Sequence, residues 1–157
     1  MRVINLAVSG AVLNDVLQNQ LPKMAKLKPD LISVSIGAND ATHFSSVGKY
    51  QTQMQSLVEK LSAKKAQVLF ATTPDMFQAP ALTLPLALAV NQRAKMQNAI
   101  LDEATTNSKI KVIDLFNRGK LIYAQNPNLY APDFFHPSSD GYQIWARLFT
   151  AELVANP

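Results

Sequence analysis

No cysteine occurs anywhere in the chain. That excludes disulfides, thiolate metal sites and cysteine nucleophiles, and it leaves the compartment open. Long apolar runs are missing as well. The longest, Ala79 to Val90, is about 12 residues and holds Pro80 and Pro85, so it is too short to cross a bilayer. No transmembrane segment is therefore expected. No charged-then-apolar signal peptide opens the chain either, because Met1 leads almost directly into a strand-like run. A basic face is also lacking. The formal net charge is +4, but the cations are spread over Lys23, Lys26 and Lys28, then Lys60, Lys64 and Lys65, then Lys109, Lys111, Arg118 and Lys120. They fall mostly at helix ends and before strands, where cations suit the helix dipole. Without a clustered face and aromatic partners, no nucleic-acid partner is expected. No glycine-rich cradle follows a strand, which speaks against a phosphate loop. Asp40 and Asp75 are too few and too far apart for a metal site, so neither metal nor cofactor is expected.

What is present is a globular composition. Apolar residues make up 48% of 157 and charged residues 17%, enough for the core of one domain spanning residues 1–157. Val3 to Val8 (VINLAV) reads as a strand buried on both faces and ended by Ser9-Gly10. Val12, Leu13, Val16, Leu17 and Leu21 recur at helical spacing, with Pro22 kinking that helix or starting a second piece. Leu31 to Ile36 is the next strand. Tyr50, Met54, Leu57, Val58 and Leu61 mark an amphipathic helix, and Gln67 to Ala71 is a third strand. Asp75 to Leu86 is an apolar, proline-broken loop, a packed connection or else a lid or acyl-binding wall. Leu88 to Thr105 predicts a long helix, and Ile110 to Leu115 a fourth strand at a sheet edge. A short helix near Lys120 is expected within Phe116 to Pro132. Ser138 or Ser139 is the expected N-cap of a final helix through Trp145 and Leu153. Four alternations of strand and helix predict an α/β fold, a parallel sheet with helices on both faces, with chemistry collected at the strand C-termini.

Two stretches carry chemistry. Asp133 and His136 stand three residues apart in Asp-Phe-Phe-His-Pro. An imidazole is a general base near neutral pH if a carboxylate fixes its tautomer. Alone the pair also fits a solvated surface histidine. Gly37-Ala38-Asn39-Asp40 ends a strand, where the Asn39 amide could donate to a developing oxyanion, with the Gly10 N–H as a second donor. The plain alternative is turn-making for Gly10 and Gly37 and capping for Asn39 and Asp40.

In combination and order these stretches resemble the SGNH (GDSL-type) hydrolase family of esterases and lipases. Asn5 to Gly10 is similar to the block whose glycine lends an oxyanion-hole N–H. Gly37 to Asp40 resembles the G-x-N-D block, whose Asn lends another donor, and Asp133 with His136 the D-x-x-H block of acid and base. The resemblance implies a three-layer α/β/α fold with a flavodoxin-like parallel sheet in the order 2-1-3-4-5. It implies a small-molecule ester substrate and serine-type acyl hydrolysis.

One family block is missing. No Gly-Asp-Ser, the motif that carries the nucleophile at the end of the family's first strand, occurs in the 157 residues. A strand–helix unit of roughly 30 residues is thus absent. The expected triad is Asp133, His136 and a serine upstream of this chain. Ser9 is the low-ranking candidate within it, Ser45 and Ser46 are outside candidates, and Ser35 is expected to pack inside its strand. His43 could line the site mouth, though an exposed loop histidine is the simpler reading. The absent strand is internal, so its neighbours would be left with unpaired backbone. Val3 to Val8 could shift to pair directly with Leu31 to Ile36. A second chain could instead supply a strand, making a homo-oligomer through an exposed sheet edge possible. The alternative function is a non-catalytic ligand-binding or interaction module.

Overall fold

The computed structural model describes residues 2–155. Its sheet has three parallel strands, β1 (Leu31–Ser35), β2 (Gln67–Ala71) and β3 (Lys111–Ile113), in the order β1-β2-β3. The register pairs Ser33 with Leu69 and Phe70 with Val112. The helices are α1 (Leu13–Asp15), α2 (Leu21–Met24), α3 (Ala38–Thr42), α4 (Val47–Ser62), α5 (Leu84–Thr105), α6 (Leu115–Gln125) and α7 (Ser139–Ala155).

Strand β2 is apolar without a break from Val68 to Ala71 because both its faces are buried there. Val68 and Phe70 pack with Leu13, with Tyr50, Met54 and Leu57 of α4, and with Leu101 of α5. On the other face, Leu69 and Ala71 join Ile113 and Leu115 beneath Trp145, Leu148 and Phe149 of α7. Layers of helix, sheet and helix follow, and sequential strands joined by helical crossovers keep the sheet parallel.

Strand β1 differs. Ile32 and Val34 face the core, whereas Leu31, Ser33 and Ser35 are exposed and no strand pairs with its outer edge among the described residues. Ser35, expected to pack inside the strand, therefore faces outward.

The first expected strand does not form. Val3 to Val8 has no ladder partner, and Val3, Ile4 and Val8 are exposed at 76%, 46% and 58%. Only Leu6 of that run packs against the core. An extended run without a neighbour has no inter-strand hydrogen bonds to make, and apolar character alone does not supply them. Nor does the run shift onto β1, so the sheet has three strands rather than four.

Other boundaries move for local reasons. Pro22 starts a new helical piece, α2, after a π-helical turn over Val16–Gln20 in which the Leu21 amide reaches back to Val16. A proline ring clashes with the carbonyl four residues earlier, and the wider turn accommodates it. Helix α5 starts at Leu84, four residues earlier than expected, because Pro85 sits in its first turn, where a missing N–H is harmless. Strand β3 stops at Ile113 because Asp114 turns to cap α6, accepting from the Asn117 amide at 2.8 Å. That helix runs from Leu115 to Gln125, longer than the short piece expected near Lys120.

Candidate active site

Asp133 and His136 lie in the loop between a 3₁₀ turn (Pro127–Leu129) and α7. Backbone bonds close the loop: Ala131 N donates to His136 O at 2.8 Å and Ser138 N to Leu129 O at 2.7 Å. The Ser138 hydroxyl accepts from Gly141 N at 3.3 Å, which makes it the cap of α7. Asp133 is held by its own turn. One oxygen, Oδ1, accepts from the amides of Phe135 and His136 at 3.0 and 2.9 Å. The other, Oδ2, lies 2.7 Å from His136 Nδ1. The imidazole bond, followed by the two amides, pulls the Asp133 carboxyl down to about 2. It is thus an acceptor only, so Nδ1 carries the proton and the lone pair of a neutral ring lies on Nε2. The pair is open to solvent, with His136 60% and Asp133 51% exposed. Phe134, between them, is also exposed and has φ 56°, in the left-handed region that non-glycine residues rarely occupy. Its carbonyl accepts from Ala81 N at 3.1 Å, tying the loop to the apolar stretch after β2. Within that stretch Met76 and Ala79 are buried, whereas Leu84 and Leu86 are exposed.

The second group of residues follows β1. Gly37 turns the chain with φ 116°, and α3 starts immediately. A side chain could not replace its hydrogen, since a Cβ there would collide with Thr73 Oγ1 and lie 3.0 Å from the Tyr50 hydroxyl. Asn39 Nδ2 donates to the Ala11 carbonyl at 2.9 Å. The buried Asp40 accepts from the Leu13 amide at 2.9 Å. Gly10, with φ 79°, is next to Ala11, so the Gly10 turn and Asn39 are neighbours. Burial pushes the Asp40 carboxyl up, against the opposing pull of the Leu13 amide, Ser45 and His43.

A buried polar cluster beneath α3 was not legible in the sequence. With its amide oriented to satisfy its neighbours, Gln97 donates to Thr73 Oγ1 and to Gly37 O at 3.1 and 3.0 Å and accepts from Ala41 N at 3.1 Å. Asn98 brackets the Thr73 backbone, accepting from its N at 2.7 Å and donating to its O at 2.9 Å. Both come from α5, and a Q-N pair inside a helical run carries no signal of such a role.

The two groups share a foundation. Phe135 packs with Ala38 and Ala41 of α3, Met76, Val90, Ala94 and Phe116. No hydrogen bond joins His136 to Asn39, and no serine hydroxyl bonds His136, among the described residues. Ser9 is exposed in the Gly10 turn, Ser45 offers its carbonyl to Arg93, and Ser46 precedes α4 without capping it through its side chain. His43 is exposed at the end of α3.

Residues 1–144 match the GDSL-like Lipase/Acylhydrolase family. The chain belongs to that family. A GDSL-like esterase of Mycobacterium tuberculosis is 26% identical over 121 residues, which cover 76% of this chain and 38% of that protein. The match thus spans well under half the length of this curated relative. Among solved structures, a catalytic mutant of Axe2, an acetylxylan esterase from Geobacillus stearothermophilus, is 26% identical with TM-score 0.72, over 96% of this chain and 71% of that one. An alpha/beta hydrolase enzyme from the metagenome of Lake Arreo, Spain, is 19% identical with TM-score 0.74, over 91% and 68%. The lipase/acylhydrolase from Enterococcus faecalis is 22% identical with TM-score 0.72, over 92% and 71%. These likenesses agree with the parallel α/β sheet described above. No helix among the described residues is long and apolar enough to cross a membrane.

Proposed function

We propose that the chain is part of a serine-type hydrolase of small-molecule esters, whose nucleophile lies on a strand outside residues 1–157. The observation that carries this reading is the His136 ring, with Nδ1 committed to Asp133 at 2.7 Å and Nε2 left open. His136 takes the serine proton through Nε2 while the serine oxygen attacks the ester carbonyl carbon. The carbonyl oxygen becomes an oxyanion, which the Gly10 N–H and the Asn39 amide stabilise. Collapse expels the alcohol with the proton from His136, and water then releases the acid by the same steps. The open edge and uncovered outward face of β1 suit a strand–helix unit that would bring the serine. The Axe2 likeness favours short acyl esters over long ones.

The test is labelling by a fluorophosphonate together with p-nitrophenyl acetate turnover. It compares the 157-residue chain with the same chain extended at its N-terminus by a Gly-Asp-Ser-bearing strand–helix unit. The extended form should label and turn over, and the shorter form should do neither. Labelling of the shorter form that disappears in Ser9→Ala would move the nucleophile to Ser9. A second reading, a non-catalytic ligand-binding or interaction module, is favoured by the exposure of His136, to which no serine among the described residues is bonded. Silence of both forms would support it.

A further inference from the structure

We infer that the buried Asp40 carboxylate is a positioning residue of this site, holding the Gly10 turn in the geometry that aims its N–H. The inference rests on the ester-hydrolase reading above.

Asn39 and Asp40 grip one short segment at two points. Asn39 Nδ2 donates to the carbonyl of Ala11, and Asp40 Oδ2 accepts from the amide of Leu13, each at 2.9 Å. One bond leaves a hinge, whereas a donor and an acceptor two residues apart fix the rotation of the peptides between them. Leu13 is fully buried and opens α1, so the carboxylate caps that helix from 27 residues away. On the other side of the segment stands Gly10. A Cβ built there meets nothing within 4 Å, and the residue is exposed. Packing therefore does not hold the Gly10 peptide. Its orientation depends on the Ala11 N to Val8 O bond at 3.2 Å, on the Val12 N to Asp15 Oδ2 bond at 3.0 Å and on the two-point grip.

The grip itself is rigidly based. Asp40 is 2% exposed, and the groups facing it are the Tyr50 hydroxyl of α4, Ser45 and His43. Beneath it, Gln97 joins Gly37 O and Ala41 N, so α3 cannot tilt without breaking bonds to α5. Burying a carboxylate is unfavourable unless hydrogen bonds such as that from the Leu13 amide offset the cost. Asp40 touches no reacting atom in this scheme and acts through Gly10.

Asp40→Ala and Asp40→Asn separate positioning from general stability. In the 157-residue chain, amide hydrogen exchange should show Leu13 losing protection in Asp40→Ala, with the Gly10 amide resonance shifted and β2 amides still protected. Asp40→Asn, which keeps an acceptor, should retain much of the Leu13 protection. If Asp40→Ala does not fold, Asp40→Asn and Asp40→Ser supply the comparison. In the serine-bearing form, Asp40→Ala should lower kcat by about 100-fold with KM little changed, and Asp40→Asn should recover most of it. Unchanged Leu13 protection in Asp40→Ala overturns the inference. So does lost protection with kcat intact. If no form hydrolyses ester yet Leu13 and Gly10 respond together, the esterase reading fails and the grip stands.

Discussion

His136 Nδ1 and Asp133 Oδ2 lie 2.7 Å apart in a turn whose other carboxylate oxygen already holds the amides of Phe135 and His136. Carboxylate and imidazole are therefore fixed to the same backbone. Asp133→Asn would keep the shape but present an amide that can donate to Nδ1, moving the ring proton to Nε2. In the serine-bearing form, kcat for p-nitrophenyl acetate should fall by about 10⁴-fold, as expected for a wrong tautomer. The circular dichroism spectrum should be unchanged. A variant within tenfold of the parent would remove Asp133 from the orienting role.

The same turn sets a pH window. The Asp133 carboxyl is lowered from 3.8 to about 2, chiefly by His136 and then by the two amides. A group with a depressed folded value contributes stability above its unfolded value and loses it as pH falls through the folded one. The turn should thus be fully held above pH 3.8 and released toward pH 2. A carboxyl-carbon NMR titration of Asp133 should have its midpoint near 2. A midpoint at the ordinary value would mean that the three bonds do not persist in solution.

On the proposed reading, Asn39→Ala removes an oxyanion donor together with the tie to Ala11. Loss of one such donor raises the barrier by roughly 2.7–4 kcal/mol. The measurement is kcat/KM for p-nitrophenyl acetate in the serine-bearing form. A loss well below that range would count against Asn39 as a donor.

Gly37→Ala should destabilise the fold. The backbone is at φ 116°, and the new Cβ would meet Thr73 Oγ1, the Tyr50 hydroxyl and the Gln97 side-chain amide. Strain of this kind amounts to about 1–3 kcal/mol, and overpacking adds a similar amount. Chemical denaturation should show a lower midpoint with the slope unchanged. A variant as stable as the parent would mean that the Gly37–Thr73–Gln97 cluster repacks freely.

Sequence patterns reveal what is local. Asp133 and His136 are close because three residues of turn make them so, and the apolar run Val68 to Ala71 shows its burial on both faces. The same logic fails at Val3 to Val8, where apolar character promises a strand but the ladder partner is a property of the sheet. Asp40 to Leu13 and Gln97 to Thr73 are separated by 27 and 24 residues. Strand order and crossovers create those meetings, and nothing in either residue's neighbourhood announces them. Gly37 lies between these cases. A glycine after an apolar strand signals a turn, but the packing that forbids a side chain there comes from α4, the segment just after β2, and α5.

Strand β1 supplies the last test. Its sequence, LISVS, has no lysine, proline or other charge to guard the unpaired edge, and its outward face of Leu31, Ser33 and Ser35 is exposed. Such edges recruit further strands. Without the serine-bearing unit, the 157-residue chain should self-associate with rising concentration, as analytical ultracentrifugation would show. Ser33→Lys places a charge on the exposed face and should suppress that association. Because the site is exposed, stability should change by less than about 0.5 kcal/mol. Adding the strand–helix unit should give the same result by occupying the edge. A chain that stays monomeric throughout, with Ser33→Lys indistinguishable from the parent, would mean that the β1 edge is already covered in solution, with Val3 to Val8 the segment at hand to cover it.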